Sequence, residues 1–240
     1  MSGMMNDCVI RPARPGDEPG AYHVCLKTGD HGDDGEPYYQ DDPDALGRIY
    51  VGPYLAFEPD LCRILEDGQG ICGYALGALD SRSFYDRYER EWRPDLCARF
   101  PAPAGDVRGW TRVQQVHQTY HHPDYFCPEP YEAYPSHLHI DLLPHAQGLG
   151  YGRRLMEQVM DGLARRGSPG VHLGVSTLNR RAHGFYQRLG FRELVRVGSG
   201  NDACIYMGIA LTVGSRKSEV GSHEVGRHEV GRHEVRSADS

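Results

Sequence analysis

Apolar residues recur along this chain with two periods, and the switches between them outline alternating strands and helices. Cys8–Ala13 reads as a first strand, stopped by Pro15-Gly16. Asp17–Thr28 sets Ala21, Val24, Cys25 and Thr28 on one face, the spacing of a helix, and Pro43–Tyr50 predicts a second, short one. Leu61–Leu65 and Ile71–Leu76 flank Glu66-Asp67-Gly68-Gln69-Gly70, whose Asp-Gly suits a hairpin turn. Phe84, Tyr88 and Trp92 form an aromatic stripe on a helix expected to end before Pro94. Leu138–Leu143 is a strand, Arg153–Arg166 an amphipathic helix with Leu155, Val159, Met160 and Leu163 inward, and Gly170–Ser176 a strand. Arg180–Leu189 follows as a helix, and Phe191–Val197 with Ala203–Leu211 closes the pattern as a strand pair. This alternation predicts an α/β or α+β domain built on one mixed sheet. The domain should occupy residues 8–212, with 98–135 as a Pro-, Tyr- and His-rich insert holding a helix around Trp110–Tyr120.

Composition narrows the picture. The chain has 240 residues, 39% of them hydrophobic, enough for a sizeable core, and no apolar run near the ~20 residues that span a membrane. A net charge of −7 argues against a nucleic-acid surface. Seven scattered cysteines without a C-x-x-C pair, and a Met1–Asp7 stretch unlike a secretory signal, suit reduced thiols in a cytoplasm. Met1–Asp7 and residues 213–240 are expected to be disordered. The latter carry the repeat Glu219-Val-Gly-Ser-His, Glu224-Val-Gly-Arg-His and Glu229-Val-Gly-Arg-His, too poor in apolar residues to build a core. Asp30–Asp44 holds seven carboxylates and no Lys or Arg, which reads either as a solvated loop or as an electrostatic funnel for a cationic substrate. No metal is expected: His117, His121 and His122 lack a second ligand pair, and lining an acceptor cleft is the better use for them.

The candidate chemistry centres on Gln147-Gly148-Leu149-Gly150-Tyr151-Gly152, a Gly-rich turn between a strand and a helix start. Backbone N–H groups converge at such a turn, and the helix dipole adds positive charge, so it suits a phosphate group. The spacing is Q-x-x-G-x-G, with neither the Walker lysine nor the dinucleotide pattern. Asn179-x-x-Ala182-x-x-Phe185-Tyr186-x-x-x-Gly190-Phe191 follows the next strand.

Together these two motifs resemble motifs A and B of the GCN5-related N-acetyltransferase family, which binds acetyl-CoA. The likeness extends over about 8–211. Ile10-Arg11-Pro12, Val51-Gly52-Pro53 and the hairpin around Gly73-Tyr74-Ala75-Leu76 are also similar to the acetyltransferase-like C-terminal domain of O-GlcNAcases and its bacterial homologues. That domain is regarded as a pseudo-acetyltransferase because eukaryotic members have a degenerate coenzyme loop; here the loop is complete.

The resemblance implies a single mixed, mostly antiparallel sheet flanked by helices, the N-acetyltransferase fold. It implies a pyrophosphate on the N–H groups from Gly148 through Arg153, with Leu149 and Tyr151 inside that loop and Gly150 and Gly152 keeping Cβ atoms away. Ile140 and Leu142 would offer backbone groups to pantetheine and the acetyl carbonyl, the Leu142 N–H as its polarising donor. Asn179 would bond pantetheine, and Tyr186 would act as the acid for the departing thiolate, unless it is an ordinary core tyrosine. The acceptor would be a small amine or a peptide lysine, cationic in solution. The strand position where many relatives carry a Glu base is Gly174 here, so Asp141, with His139 beside it, is the substitute; a purely structural carboxylate is the equal alternative. The implied activity is direct transfer of the acetyl group to an amine, and the alternative is a binding module that holds acetyl-CoA or a peptide without turnover.

Overall fold

The tight turn at Gly68-Gln69 folds β2 (Cys62–Asp67) back on β3 (Gly70–Ala78), and the rest of the sheet grows outward from that hairpin. In the computed structural model, which describes residues 8–200 and 203–212, the sheet has seven strands in the order β1-β2-β3-β4-β5-β7-β6. The others are β1 (Val9–Pro12), β4 (Ser136–Leu142), β5 (Gly170–Ser176), β6 (Arg192–Val197) and β7 (Cys204–Ala210). Every pairing is antiparallel except β4 with β5. The expected single mixed sheet is therefore present. The expectations for 1–7 and 213–240 lie outside the described residues.

Period-two alternation sends each strand's side chains to two separate cores. One contains Ile64, Tyr74, Leu76 and Ala78, covered by α1 (Glu18–Lys27), α2 (Gly47–Tyr50) and α3 (Gly52–Phe57). The other contains Leu65, Ala75, Leu138, Val171, Leu173 and Met207, covered by α7 (Tyr151–Arg165) and α8 (Arg180–Leu189). Between them in sequence, α4 (Ser81–Arg87), α5 (Arg93–Arg99) and α6 (Arg112–His121) close the first core, with Tyr120 of α6 fully buried. The 98–135 stretch thus contributes to the core. Thr111 starts α6 with a capping box, accepting from the Gln114 N–H while the Gln114 side chain accepts from the Thr111 N–H.

The aromatic stripe departs from expectation. The helix does not end before Pro94; Tyr88–Trp92 widens into a π-helical turn and the chain re-enters an α-helix with Pro94 in its first turn. A proline is tolerated there because its missing N–H has no intrahelical partner to lose. No helix among the described residues is long and apolar enough to cross a membrane.

Two histidines are sealed against the strand junction. His137 (5% exposed) has Nδ1 2.7 Å from Ser81 Oγ, and that hydroxyl donates to the Pro135 carbonyl at 2.8 Å, so Nδ1 carries the proton. His172 (2% exposed) donates from Nδ1 to the Tyr134 carbonyl at 2.8 Å. Burial holds His137 well below the ordinary imidazole range, reinforced by neighbouring His172 and His139, and burial likewise lowers His172. Both are neutral in the fold and protonate near pH ~6.5 when unfolded. The unfolded chain therefore binds more protons in this range, and stability must fall as pH drops below ~6.5. Denaturant unfolding at pH 7.5 and 5.5 should show that loss, and His137→Gln should flatten the slope. An unchanged slope in the variant removes His137 as its source.

Candidate active site

The site is a fork in the sheet. β4 and β5 run parallel but pair only at Ser136↔Val171 and His137↔His172, and beyond these they separate. On the other side of β4, the Leu143 N–H donates to the Cys72 carbonyl at 2.8 Å. By the alternation of an antiparallel ladder, the N–H groups of Ile140 and Leu142 then point away from β3 and into the gap. The Leu142 carbonyl is already taken, accepting from Gln147 Nε2 at 2.6 Å. The Leu142 N–H is thus a donor at the mouth of the fork.

At the same end lies the glycine loop. Gly148 (φ 76°) and Gly150 (φ 84°) both have left-handed backbones, a conformation side chains oppose. Gly150 is the N-cap of α7 and supplies no side-chain cap, so the N–H groups of Tyr151, Gly152 and Arg153 lack an intrahelical partner. A Cβ built on Gly148 or Gly150 would meet nothing within 4 Å, which leaves an open cradle of donors suited to a phosphate. Gly152 has a different reason to be glycine: a Cβ there would lie 3.3 Å from the Phe185 ring, so it lets α7 approach α8. The helix begins at Tyr151, two residues before the expected Arg153. Leu149 is 60% exposed at the loop tip, and Arg181 reaches back from α8 to donate to Gln147 Oε1, closing the loop from the other side.

Asn179 is the N-cap of α8, accepting from the Ala182 N–H at 3.0 Å. Its Oδ1 is therefore committed to the helix, and its remaining amide group packs against Gly32 of the acidic loop. Tyr186, on the buried face of α8, is 7% exposed, and its hydroxyl has no hydrogen-bond partner among the described residues. Burial, with the Asp141 charge adding, raises its phenol above the ordinary range. It remains protonated and able to donate.

Across the sheet from these groups, Asp141 accepts from the Tyr74 hydroxyl at 2.6 Å. His139 Nε2 lies 3.0 Å from the same carboxylate oxygen, though outside hydrogen-bond geometry, and its ring stacks on Tyr50 at 5.6 Å. Burial first, and then the Asp141 charge, keep the Tyr74 phenol protonated, so it is a fixed donor. Gly174 shares this face. A Cβ there would lie 3.0 Å from Cys204 Sγ and 3.4 Å from the Tyr206 ring, and Tyr206 itself packs at a tilt against Phe126, ring centroids 4.3 Å apart. The space a longer side chain would need at 174 is filled.

Three cations meet five carboxylates of the acidic run: Lys27 pairs with Asp34 and Glu36, Arg48 with Asp42 and Asp44, and Arg112 with Asp30. The run keeps a net negative charge, and part of it serves as structural ion pairs. Two of the insert histidines hold bonds within the fold, His117 to Asp42 at 2.8 Å and His121 to the Phe100 carbonyl at 2.8 Å. Sequence reasoning missed Tyr74, Tyr50 and Arg181, which meet the site from distant segments.

A forked sheet, an uncapped glycine turn at the fork and a buried phenol beside it meet at one end of the sheet. The chain belongs to the acetyltransferase (GNAT) family, whose sequence model matches residues 33–191. It is 31% identical to Protein O-GlcNAcase of Rattus norvegicus, and equally to that of Mus musculus, over 189 residues, which is 78% of this chain and 20% of each relative. The chain thus spans about a fifth of the length of the curated relatives it matches. The crystal structure of SsHAT is similar at 37% identity and a TM-score of 0.76, covering 85% of this chain and 98% of that one. PH1933 from Pyrococcus horikoshii shares the fold at 14% identity and a TM-score of 0.53, covering 86% of this chain and 99% of that one.

Proposed function

We propose that this protein is an acetyl-CoA-dependent N-acetyltransferase in which an amine attacks the bound thioester directly. The observation that carries the reading is the coincidence, at one fork, of an uncapped glycine cradle, the free Leu142 N–H and the unpartnered Tyr186 hydroxyl. Acetyl-CoA supplies the activated acetyl group. Gly148–Arg153 hold its phosphates, and the Leu142 N–H stabilises the negative charge that develops on the carbonyl oxygen as the amine adds. Tyr186 gives its proton to the thiolate as the carbon–sulfur bond breaks.

The amine approaches from the opposite face, between Asp141, His139, Tyr50 and Tyr206. These groups favour a cation, through the carboxylate and the ring faces. A lysine-like amine must lose a proton before it attacks, at a cost of about 4–5 kcal/mol at pH 7. Asp141 is the acceptor for that proton, held by Tyr74 and oriented beside His139. Asp141→Asn keeps an oxygen for the Tyr74 hydroxyl but loses the basic carboxylate. It should lower kcat by about 10²-fold with little change in acetyl-CoA affinity. Steady-state kinetics with matched binding titrations check this, and an unchanged kcat removes Asp141 as the base.

The second reading, a module that holds acetyl-CoA or a peptide without turnover, is favoured by one observation: Cys204 and Tyr206 fill the space beside Gly174 where a base could stand. An amine-library assay for free coenzyme thiol, paired with an acetyl-CoA titration, separates the two. Thiol release on any amine supports the enzyme. Saturable binding with no release across the library supports the module, and no binding ends both.

A further inference from the structure

Away from the fork, four chain segments bring thiols, a carboxylate and an imidazole to one spot. Cys8 precedes β1, Asp67 ends β2, Cys72 lies in β3, and His145 sits in the short 3₁₀ turn Pro144–Ala146 that leads into the glycine loop. In β2 and β3, Leu65 faces Gly73 but Glu66 faces Ile71, so Cys72 is the extra residue of a β-bulge. Regular alternation would send Cys72 to the side of Tyr74 and Leu76; it packs instead with Leu65 and Ala75 on the α7 side, together with Cys8. A bulge re-aims one side chain at the cost of local pairing. Here it turns a thiol toward a second thiol and a carboxylate.

The Cys8 and Cys72 sulfurs are 4.0 Å apart, and one ligand atom from each of Cys8, Asp67 and Cys72 lies within 4.8 Å of the others. Two sulfurs bound tetrahedrally at ~2.3 Å from zinc stand roughly 3.8 Å apart, so the thiol pair is already near ligating distance. The Asp67 side chain is 1% exposed. One carboxylate oxygen accepts from the Gln69 N–H at 2.7 Å, and the other meets His145 Nε2 at 2.9 Å. Ligating carboxylates are commonly held in this way by an outer partner.

We propose that Cys8, Cys72 and Asp67 bind a single zinc-class divalent cation, with His145 as the positioning residue for the Asp67 carboxylate. Two sulfurs and an oxygen form a borderline-soft donor set that suits Zn²⁺ and excludes Mg²⁺ and Ca²⁺. The ion displaces the thiol protons to solvent as the two metal–sulfur bonds form, and one coordination position remains for water. The site also touches the coenzyme loop. The Cys8 N–H donates to the Tyr151 hydroxyl at 3.3 Å, and His145 lies two residues before Gln147. The ion would therefore fasten the sheet edge to the loop that the proposed function assigns to phosphate, but its binding does not depend on that assignment.

Cobalt substitution tests this on the full chain, reduced and stripped with chelator. Co²⁺ should give a near-ultraviolet thiolate-to-cobalt band and visible absorption of a four-coordinate ion, saturating at one ion per chain and erased by Zn²⁺. Cys8→Ser and Cys72→Ser should each remove most of the thiolate band, Cys127→Ser should leave it intact, and His145→Ala should weaken Co²⁺ binding severalfold while keeping the band. Histidines of the C-terminal repeat can bind cobalt too, but they produce no thiolate band. Independently of any variant, Zn²⁺ should protect Cys8 and Cys72 from alkylation in the wild-type chain, read by peptide mass spectrometry. Absence of the band, its survival in Cys72→Ser, or equal alkylation with and without Zn²⁺ would overturn the site.

Discussion

Tyr186→Phe should lower kcat by about 10²–10³-fold while leaving the acetyl-CoA dissociation constant within a factor of about two. General acid catalysis contributes on that scale, and Phe keeps the ring that fills the α8 face. The hydroxyl makes no hydrogen bond among the described residues, so removing it breaks no structural contact, and stability should stay within ~0.5 kcal/mol. A structural tyrosine predicts the reverse, with altered stability and intact turnover. Acceptors that pass through a slower amine-addition step should show a smaller effect, because protonation of the thiolate then limits the rate less. Equal kcat in variant and wild type across several amines would remove Tyr186 from the chemistry.

Gly150→Val should weaken acetyl-CoA binding by about 10²–10³-fold. At φ 84° a β-branched residue is strained by roughly 1–2 kcal/mol. Relieving that strain moves the first turn of α7 and misaligns the N–H groups of Tyr151, Gly152 and Arg153, each worth about 1.5–3 kcal/mol toward a charged partner. Because a Cβ at Gly150 meets nothing within 4 Å, the folded domain should survive with modest loss of stability. Gly152→Ala offers the contrast. Its Cβ would approach the Phe185 ring at 3.3 Å, so it should act on the packing of α7 against α8 more than on coenzyme affinity. If the two variants bind acetyl-CoA equally well, the assignment of separate roles to these glycines fails.

Much of this arrangement could be read before the structure. The glycine loop and the Asn179–Phe191 helix are local motifs, in which spacing alone carries the geometry. The strand assignments held where alternation was clean, as in Leu138–Leu143 and Gly170–Ser176. The failures arose where a residue's role depends on a distant partner. Gly152 faces the Phe185 ring of another helix, and part of the acidic run is paired with Lys27, Arg48 and Arg112 from three helices. Tyr74 meets Asp141 across a strand pair separated by 67 residues, which no window of sequence reveals. Pro94 misled for another reason: the preceding π-helical turn supplies the register change that lets the helix resume. The Cys8, Asp67 and Cys72 cluster was hidden twice, by separation in sequence and by a bulge that reverses the face of one thiol.

The fork gives the fold its functional logic. Strands that stay paired have no free backbone donors, whereas the separation of β4 and β5 beyond His137↔His172 frees those of Ile140 and Leu142. The sealed pair His137 and His172 stands at the point of separation, so the junction is buried and is held by two imidazoles that burial keeps neutral. Asp141 and Tyr186 approach the same gap from opposite faces, the placement that the proposed base for the amine and acid for the thiolate require.

The most direct measurement is a calorimetric titration of the reduced full chain with acetyl-CoA, repeated with Gly150→Val. One acetyl-CoA per wild-type chain should bind saturably at micromolar concentrations, within the ~1 μM–1 mM range usual for enzyme substrates, and the variant should lose nearly all of that binding. No saturable binding up to ~1 mM in the wild type, or equal binding by the two proteins, would contradict the assignment of the glycine loop to the coenzyme.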